Sequence, residues 1–145
     1  MSENTNVDQI IIANKKFYEA LGGRDLELMK TVFVADERAG CTHPGWIMLR
    51  GYDAIIQSWE NVFDPSDKLE INLHNLTVDI KNDTAWVTCV QELTYIMRDP
   101  VVMNVSASTN IFEKTESGWL MLIHHASPVP FTTESEQEGD SNNLQ

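Results

Sequence analysis

Positively charged residues are scarce in this sequence. Its 145 residues contain 10 Lys and Arg against 22 Asp and Glu, which gives a formal net charge of -12. Broad binding to nucleic acid requires clustered Lys and Arg, and so does attraction to an anionic membrane surface. We therefore expect no nucleic acid and no membrane among the partners. Repulsion between like-charged molecules, which favours solubility, is a sufficient reason for the acidic excess.

Cysteine is nearly absent, since Cys41 and Cys89 are the only two. They do not form a Cys-x-x-Cys pair, so neither a redox motif nor a zinc motif is supported. The four histidines show no ligand spacing either. We therefore expect no metal and no cofactor, and we expect both thiols to be reduced and buried.

Long apolar runs are also lacking. No run approaches the roughly 18 residues that a membrane helix needs. Residues 1–6 have neither the basic start nor the apolar centre of a signal peptide. We therefore expect a cytoplasmic protein. Apolar residues nevertheless make up 42% of the chain, which is enough for the core of one domain without disulfides or metal.

Three helices are predicted in the first half of the chain. The first follows Asp8 as a possible cap and ends at Gly22-Gly23, and a second, shorter helix is expected to begin at a cap on Asp25. A third helix follows Gly51 and cannot continue through Pro65. The apolar residues at helical spacing are Ile10, Ala13, Phe17 and Leu21 in the first helix, Leu26, Met29 and Phe33 in the second, and Ile55, Ile56, Trp59, Val62 and Phe63 in the third. Between the second and third helices, extended segments at 39–43 and 46–49 flank a turn.

The second half predicts four long antiparallel strands. They are expected at 69–80, 84–97, 101–113 and 119–127. In the first of them the apolar alternation changes phase between Leu73 and Leu76. Because a one-residue slip would turn the apolar side chains to the wrong face, we predict a bulge near His74-Asn75 that bends the sheet. The element order predicts an α+β fold in which a strongly bent sheet wraps a few helices.

Residues 131–145 differ in composition from the rest. They contain Glu134, Glu136, Glu138 and Asp140, no Lys or Arg, and little apolar content. Such a composition is typical of a disordered acidic tail. We therefore expect one domain at 1–130 followed by this tail.

Several segments resemble one protein family. From roughly Val7 to Pro130 the chain is similar to the SnoaL-like branch of the nuclear transport factor 2-like superfamily. The resemblance implies a cone-shaped, bent antiparallel sheet wrapped around the N-terminal helices, a cystatin-like fold with a pocket at the open end. The segments that carry it are Cys-Thr-His-Pro-Gly-Trp at 41–46, Gly-Tyr-Asp-Ala-Ile-Ile-Gln-Ser-Trp at 51–59, Thr-Ala-Trp-Val-Thr-Cys at 84–89, Ser-Thr-Asn-Ile-Phe at 108–112 and Gly-Trp-Leu-Met-Leu-Ile-His-His-Ala-Ser-Pro-Val at 118–129.

The resemblance leaves the function open, because relatives of this fold include enzymes and non-enzymes. The enzymes include ketosteroid isomerase, scytalone dehydratase and polyketide cyclases, whereas the association domain of calcium/calmodulin-dependent kinase II is not an enzyme. Ketosteroid isomerase pairs an aspartate base with a tyrosine and a protonated aspartate. No aspartate lies within 84–97 or 119–127. This departure argues against a steroid isomerase.

Two histidines are the candidate catalytic residues. His124 and His125 are adjacent on a strand and therefore point to opposite faces, so only one of them can line a pocket. By analogy with relatives, the face of Trp119 and His125 is placed inside the cone and His124 outside. His125 is then a candidate for proton transfer, the alternative being a buried histidine hydrogen-bonded to a neighbour. His43, on a loop expected near the cone mouth, is the second candidate, the alternative being a turn-stabilising role.

Four further residues are candidate ligand contacts. Trp46 could cover a ligand at the mouth, and an inward Asn110 could orient a carbonyl or hydroxyl or else satisfy buried backbone. Tyr18 and Trp59 lie on helix faces, where an aromatic residue usually packs in the core. The expectation that they contact a ligand rests only on the cone architecture that the resemblance implies. Glu92 is expected to face solvent or to pair at a subunit interface.

Two functions remain open at this point. The first is a dimeric, pocket-bearing domain that binds a small apolar ligand or a protein partner. The alternative is a cofactor-independent isomerase, dehydratase or cyclase that acts on a small carbonyl compound by histidine acid-base chemistry. A homodimer is expected because both faces of one strand carry apolar groups, and an exposed apolar face usually marks an interface. The two alternating sets are Trp86, Thr88 and Val90, and Ala85, Val87 and Cys89.

Overall fold

The computed structural model describes residues 3–130, so the predicted acidic tail lies outside the described residues. No helix among the described residues is long and apolar enough to cross a membrane. The elements in chain order are α1 (Glu3–Gly23), α2 (Leu26–Lys30), β1 (Gly40–Thr42), β2 (Leu49–Arg50), α3 (Tyr52–Val62), β3 (Leu69–Lys81), β4 (Thr84–Tyr95), β5 (Val102–Thr115) and β6 (Gly118–Pro128).

The strands form one open, curved sheet in the order β2-β1-β6-β5-β4-β3. Strands β3 to β6 are joined as antiparallel neighbours, because short turns connect each to the next. One pair departs from the predicted antiparallel pattern, since β1 runs parallel to β6. A parallel pair requires a long connection, and about half of the chain lies between β1 and β6. The predicted α+β class, with helices beside a bent sheet, is confirmed.

The N-terminal helices fill the concave side of the sheet. Phe17 on α1 is fully buried and packs edge-to-face on Tyr18, Phe33 and Trp59. The helix begins at Glu3, so the prediction that Asp8 caps it is wrong. The predicted cap on α2 is confirmed, because the Leu28 backbone N–H donates to Asp25 Oδ1 at 3.0 Å.

A bulge bends β3 where the sequence pattern predicts one. The pairing of β3 with β4 shifts register between His74 and Thr77, and Asn75 takes a left-handed backbone with φ 55°. Asparagine adopts this conformation more readily than most residues. Leu73 on one side of the bulge and Val78 on the other can thus both pack against the core.

A second bulge, in β6, is absent from the sequence-based prediction. Phe112 pairs with Met121, whereas Ile111 pairs with Ile123, so Leu122 is an extra residue on β6. The extra residue reverses the alternation of the strand beyond it. Met121 is buried on the inner face, and the next residue buried there is His124 rather than Ile123.

The outer face of the sheet carries an apolar row that is partly exposed. Trp86, Ile111 and Ile123 pair with one another across β4, β5 and β6 and form an apolar row, with each side chain half-buried. Thr88 and Val90 continue this face along β4, as expected from their alternation with the buried residues of that strand. We refer to this surface as the outer face.

Candidate functional site

A cavity of about 470 Å³ opens at one end of the cone, between α1, α3 and the sheet. Its exposed and half-buried lining residues form a rim, and its buried lining residues form a floor. The rim includes Arg24, Pro44, Trp46, Asn61, Val62, Phe63, Asp64, Asp67, Leu69, Tyr95, Arg98 and Asn104. The floor consists of Leu21, His43, Trp59, Gln91, Leu93, Ser106 and His124. This mixture of apolar wall and a few polar groups is typical of a small-molecule site.

His124, not His125, faces the interior of the cone. The His124 side chain is 1% exposed and stacks near the rings of Phe17 and Trp59, whereas His125 is exposed on the outer face. The prediction that His125 lines the pocket is therefore wrong. The bulge at Leu122 is the physical reason, because it places Trp119 and His124 on the same face although their spacing is odd.

Asn110 holds the His124 ring in place. His124 Nδ1 lies 2.6 Å from Asn110 Oδ1, and Asn110 Nδ2 donates to Asn14 Oδ1 at 2.8 Å and to the Tyr18 hydroxyl at 3.2 Å. His124 Nε2 has no partner among the described residues. Nε2 is nevertheless not fully buried. The fully buried side-chain polar atoms of residues 3–130 that lack a partner are Arg24 Nε, Thr42 Oγ1, Trp59 Nε1 and Trp119 Nε1. Nε2 is therefore the atom through which His124 meets the cavity.

Tyr18 lies behind the floor and organises it. Its hydroxyl donates to Gln91 Oε1 at 2.9 Å and lies 3.0 Å from Ser108 Oγ. Ser108 in turn lies 3.2 Å from Cys89 Sγ. Burial, followed by the nearby Cys89, raises the pKa of Tyr18, so the phenol is neutral and remains a donor. Tyr18 and Asn110 therefore position floor residues and do not themselves line the cavity.

His43 is fixed by α3. Its Nε2 lies 2.9 Å from Ser58 Oγ, and the Ser58 hydroxyl donates its only proton to the Ile55 carbonyl at 2.6 Å. The imidazole must therefore donate from Nε2, which leaves Nδ1 as its unprotonated nitrogen. The ring packs edge-to-face against Trp46 and Trp59. Trp46 is 47% exposed at the rim and Trp59 is 3% exposed at the floor, so both predicted aromatic contacts line the cavity.

Both floor histidines are neutral near physiological pH. Burial lowers the pKa of His43 to about 4. Burial, and then the neighbouring His43 and His125, lowers the pKa of His124 to about 3. No carboxylate and no Lys or Arg belongs to the floor. The inner end of the cavity is therefore polar but uncharged.

The charges of the cavity lie at its rim. Arg98 pairs with Asp67 at 2.8 Å and covers the Tyr95 ring at 3.9 Å. Hydrogen bonds from Ser66, aided by Arg98 and Arg24, lower the pKa of Asp64. The rim thus carries two arginines and two aspartates, and it has no strong net charge.

The remaining candidates have local roles. Glu92 points outward and pairs with His74 at 3.4 Å, which agrees with its expected solvent-facing position. Cys41 and Cys89 are free and buried, as predicted. Burial raises the pKa of Cys41, so its thiol is a poor nucleophile although it lies 4.0 Å from His43 Nε2. Among residues 3–130, no three His, Cys, Asp or Glu side chains come together to hold a metal ion.

Three polar residues of the floor and its support are absent from the sequence-based prediction. Gln91 and Ser106 are cross-strand partners on the inner face, and Asn14 lies on α1. A signal for Gln91 was present, because it falls in phase with the buried set Ala85, Val87 and Cys89. A polar residue in an apolar alternation indicates either a buried network or a site. Asn14 is a similar case, because it is a polar residue at helical spacing from the buried Tyr18, four residues later.

Comparison with known proteins gives a consistent picture of the fold. Residues 10–132 match the family model of the SnoaL-like domain. Among curated proteins, the F-box protein SKIP8 of Arabidopsis thaliana is 29% identical over 118 residues, which are 81% of this chain and 48% of that protein. The chain therefore spans about half the length of this relative.

Solved structures with the same fold carry different functional descriptions. A proposed dehydratase of the NTF2-like family from Streptomyces avermitilis is 28% identical, with a TM-score of 0.82 over 90% of this chain and 100% of the other. A proposed calcium/calmodulin-dependent protein kinase type II association domain from Thiobacillus denitrificans is 26% identical, with a TM-score of 0.69 over 81% of this chain and 93% of the other. The S. rosetta CaMKII hub, at 18% identity and a TM-score of 0.71 over 84% of this chain and 95% of the other, shows the fold alone.

Proposed function

The chain belongs to the SnoaL-like domain family, and from that premise we propose that its cone binds one small, neutral, largely apolar molecule. The observation that carries the proposal is the uncharged polar floor. A charged group that reached His124 or His43 would lose its water and meet no opposite charge there. Burying an unpaired charge is strongly unfavourable, whereas a neutral polar group needs only one or two hydrogen bonds. The volume of about 470 Å³ lies within the range of small-molecule pockets.

Probes that share one ring system and differ in charge test this proposal. We expect 2-naphthol and 2-acetonaphthone, which are neutral, to bind at least about tenfold more tightly than 2-naphthoate or 2-naphthylmethylammonium. Binding is followed by NMR of the four tryptophan indole N–H groups. Trp46 and Trp59 line the cavity and should shift, whereas Trp86 and Trp119 lie elsewhere and serve as internal controls. Tighter binding of a charged probe, or shifts confined to Trp86 and Trp119, would contradict the proposal.

Adjacent histidines provide a matched pair of variants. His124→Phe replaces a floor residue, and His125→Phe makes the same change on the outer face. We expect the first to weaken 2-naphthol binding about twofold to tenfold through loss of one hydrogen bond, and the second to leave it unchanged. Native mass spectrometry of protein isolated from its own cell complements these measurements, because it can detect a retained natural ligand.

A dehydratase activity is the second candidate function. It is favoured by the likeness to the proposed dehydratase from Streptomyces avermitilis and by the unprotonated His124 nitrogen at the floor. A general base is most effective when its pKa lies near the working pH, and the pKa of His124 lies far below it. We therefore place binding first. Loss of water from a β-hydroxy ketone, seen as absorbance of the conjugated enone and abolished in His124→Phe, would reverse this order.

We also propose that two copies of the chain pair through the outer face. The row of Trp86, Ile111 and Ile123 leaves contiguous apolar surface half-exposed. Such a patch on a soluble protein usually marks an interface. Association domains among the solved structures of this fold support self-association. A dimer formed through the outer face leaves the cavity rim, at the open end of the cone, free for a ligand.

A further inference from the structure

The two ends of the Asn110 amide have different partners. The Tyr18 hydroxyl has one proton, which it donates to Gln91 Oε1 at 2.9 Å. Toward Asn110, at 3.2 Å, the Tyr18 oxygen can therefore only accept. The Asn110 group facing Tyr18 and Asn14 Oδ1 is thus the NH₂ group, and the group facing His124 is the carbonyl oxygen.

This orientation determines which nitrogen of His124 carries the proton. Asn110 Oδ1 is an acceptor only, so His124 Nδ1 donates to it at 2.6 Å. A neutral imidazole has a single N–H, and the buried ring is neutral. Nε2, the atom that meets the cavity, is consequently an acceptor.

We infer that Asn14 and Asn110 are positioning residues that determine ligand specificity: through His124 they select a neutral molecule whose inner end carries an O–H or N–H donor, not a carbonyl. The inference rests on the proposed ligand binding and names the ligand class for that same cavity. It also replaces the sequence-based expectation that Asn110 itself orients a carbonyl or hydroxyl of the ligand, because both ends of the Asn110 amide are occupied by protein groups.

Other floor groups serve the rest of the ligand. Gln91 Oε1 is occupied by Tyr18, whereas the Gln91 NH₂ group and the Ser106 hydroxyl have no partner among the described residues. Both side chains line the cavity, and Gln91 can only donate from its NH₂ group. An acceptor elsewhere on the ligand therefore has a donor available. The unprotonated nitrogens of the floor, His124 Nε2 and His43 Nδ1, can only accept.

The tautomer of His124 is measurable in the free protein. Long-range ¹H–¹⁵N NMR distinguishes a ring protonated at Nδ1 from one protonated at Nε2. We expect the Nδ1–H form in the wild-type protein, and we expect Asn110→Leu, which removes the acceptor, to shift the ring toward Nε2–H. Ser108→Ala is the matched control, because Ser108 lies on the same strand as Asn110 and is hydrogen-bonded to Tyr18 but not to His124. An Nε2–H tautomer in the wild-type protein would overturn the inference, whether or not the variants fold.

Ligand selectivity is the second measurement. We expect the wild-type protein to prefer 2-naphthol, a donor, over 2-methoxynaphthalene, an acceptor only, by about twofold to tenfold. In Asn110→Leu the preference should disappear or reverse, and in Ser108→Ala it should remain. Equal binding of the two probes by the wild-type protein rejects the donor class while leaving the proposed function intact. Absence of binding by both probes, and by 2-acetonaphthone, rejects the proposed function and the ligand class together.

Discussion

At the scale of single residues, the site is defined by two histidines that stay neutral. His43 donates to Ser58 and His124 donates to Asn110, so each ring has one nitrogen engaged and one left unprotonated. A neutral imidazole in the buried floor of the cavity is a directional hydrogen-bonding group. An imidazolium there would need a counter-charge that the floor lacks. The residue chemistry therefore favours recognition of a neutral group over strong acid-base catalysis.

The depressed pKa of His124 predicts how stability depends on pH. In the unfolded chain this group takes up a proton near its ordinary pKa of about 6.5, whereas in the folded protein it does so only near pH 3. The contribution of His124 to the free energy of unfolding is fully present above about pH 6.5 and is lost progressively as the pH falls toward 3. Between about pH 7 and pH 5.5 we expect the free energy of unfolding to fall by about 1 kcal/mol from His124 alone. His43 contributes with the same sign.

Urea unfolding followed by circular dichroism at the two pH values checks this expectation. This interval lies above the range in which the carboxylates with lowered pKa values, Asp36, Asp64 and Glu113, take up protons. His125→Phe should keep the wild-type pH dependence, whereas His124→Phe should reduce it. Equal stability of the wild-type protein at both pH values would show that His124 is not kept neutral by the fold.

At the scale of elements, two bulges decide which side chains reach the cavity. The bulge in β3 lets residues on both sides of Asn75 pack inward, and the bulge at Leu122 in β6 turns His124 inward and His125 outward. A bulge changes the facing of every residue beyond it in the strand. The cavity floor therefore depends on backbone register as well as on residue identity.

The left-handed backbone of Asn75 gives an element-scale prediction. Its φ of 55° is unfavourable for residues with a Cβ other than Asn and Asp, by roughly 1–2 kcal/mol. We expect Asn75→Ala to lower the free energy of unfolding by about 1 kcal/mol, and Asn75→Gly to have a much smaller effect because glycine accepts this conformation. Chemical denaturation of both variants measures the difference. An Ala variant as stable as the Gly variant would mean that the bulge relaxes to another geometry.

At the scale of the whole molecule, the outer face of the sheet predicts a homodimer. Ile111 occupies the centre of its apolar row, between Trp86 and Ile123. We expect Ile111→Glu to convert a dimer into monomers, because a buried unpaired carboxylate strongly disfavours an interface. Analytical ultracentrifugation at micromolar concentration gives the oligomeric state.

The matched control is Ile12→Glu. Ile12 lies on α1 and is 65% exposed, so the same change in size and charge falls away from the sheet. This variant should sediment like the wild-type protein. A wild-type protein that is monomeric at micromolar concentration would remove the basis for pairing through the outer face.

Local sequence patterns are sufficient to predict the helices, the long strands and the class of fold. A helix that buries one face needs apolar residues at helical spacing, and a strand that buries one face needs them at alternate positions. The first pattern occurs in α1 and α3, and the second occurs in the four long strands. The bulge at His74-Asn75 can also be predicted from the sequence. Polar residues alternate with apolar ones in β3, so a change of phase there is visible in the pattern.

The facing of His124 and His125, and the hydrogen-bond partners within the site, depend on tertiary packing. In β6 both faces carry apolar residues, so the extra residue at Leu122 changes no visible pattern. The relay from Asn14 through Asn110 to His124 joins a helix to two strands, and its members are far apart in sequence. Local periodicity contains no information on which strand register brings such distant groups within hydrogen-bonding distance. That information comes from the packing of α1 into the curved sheet.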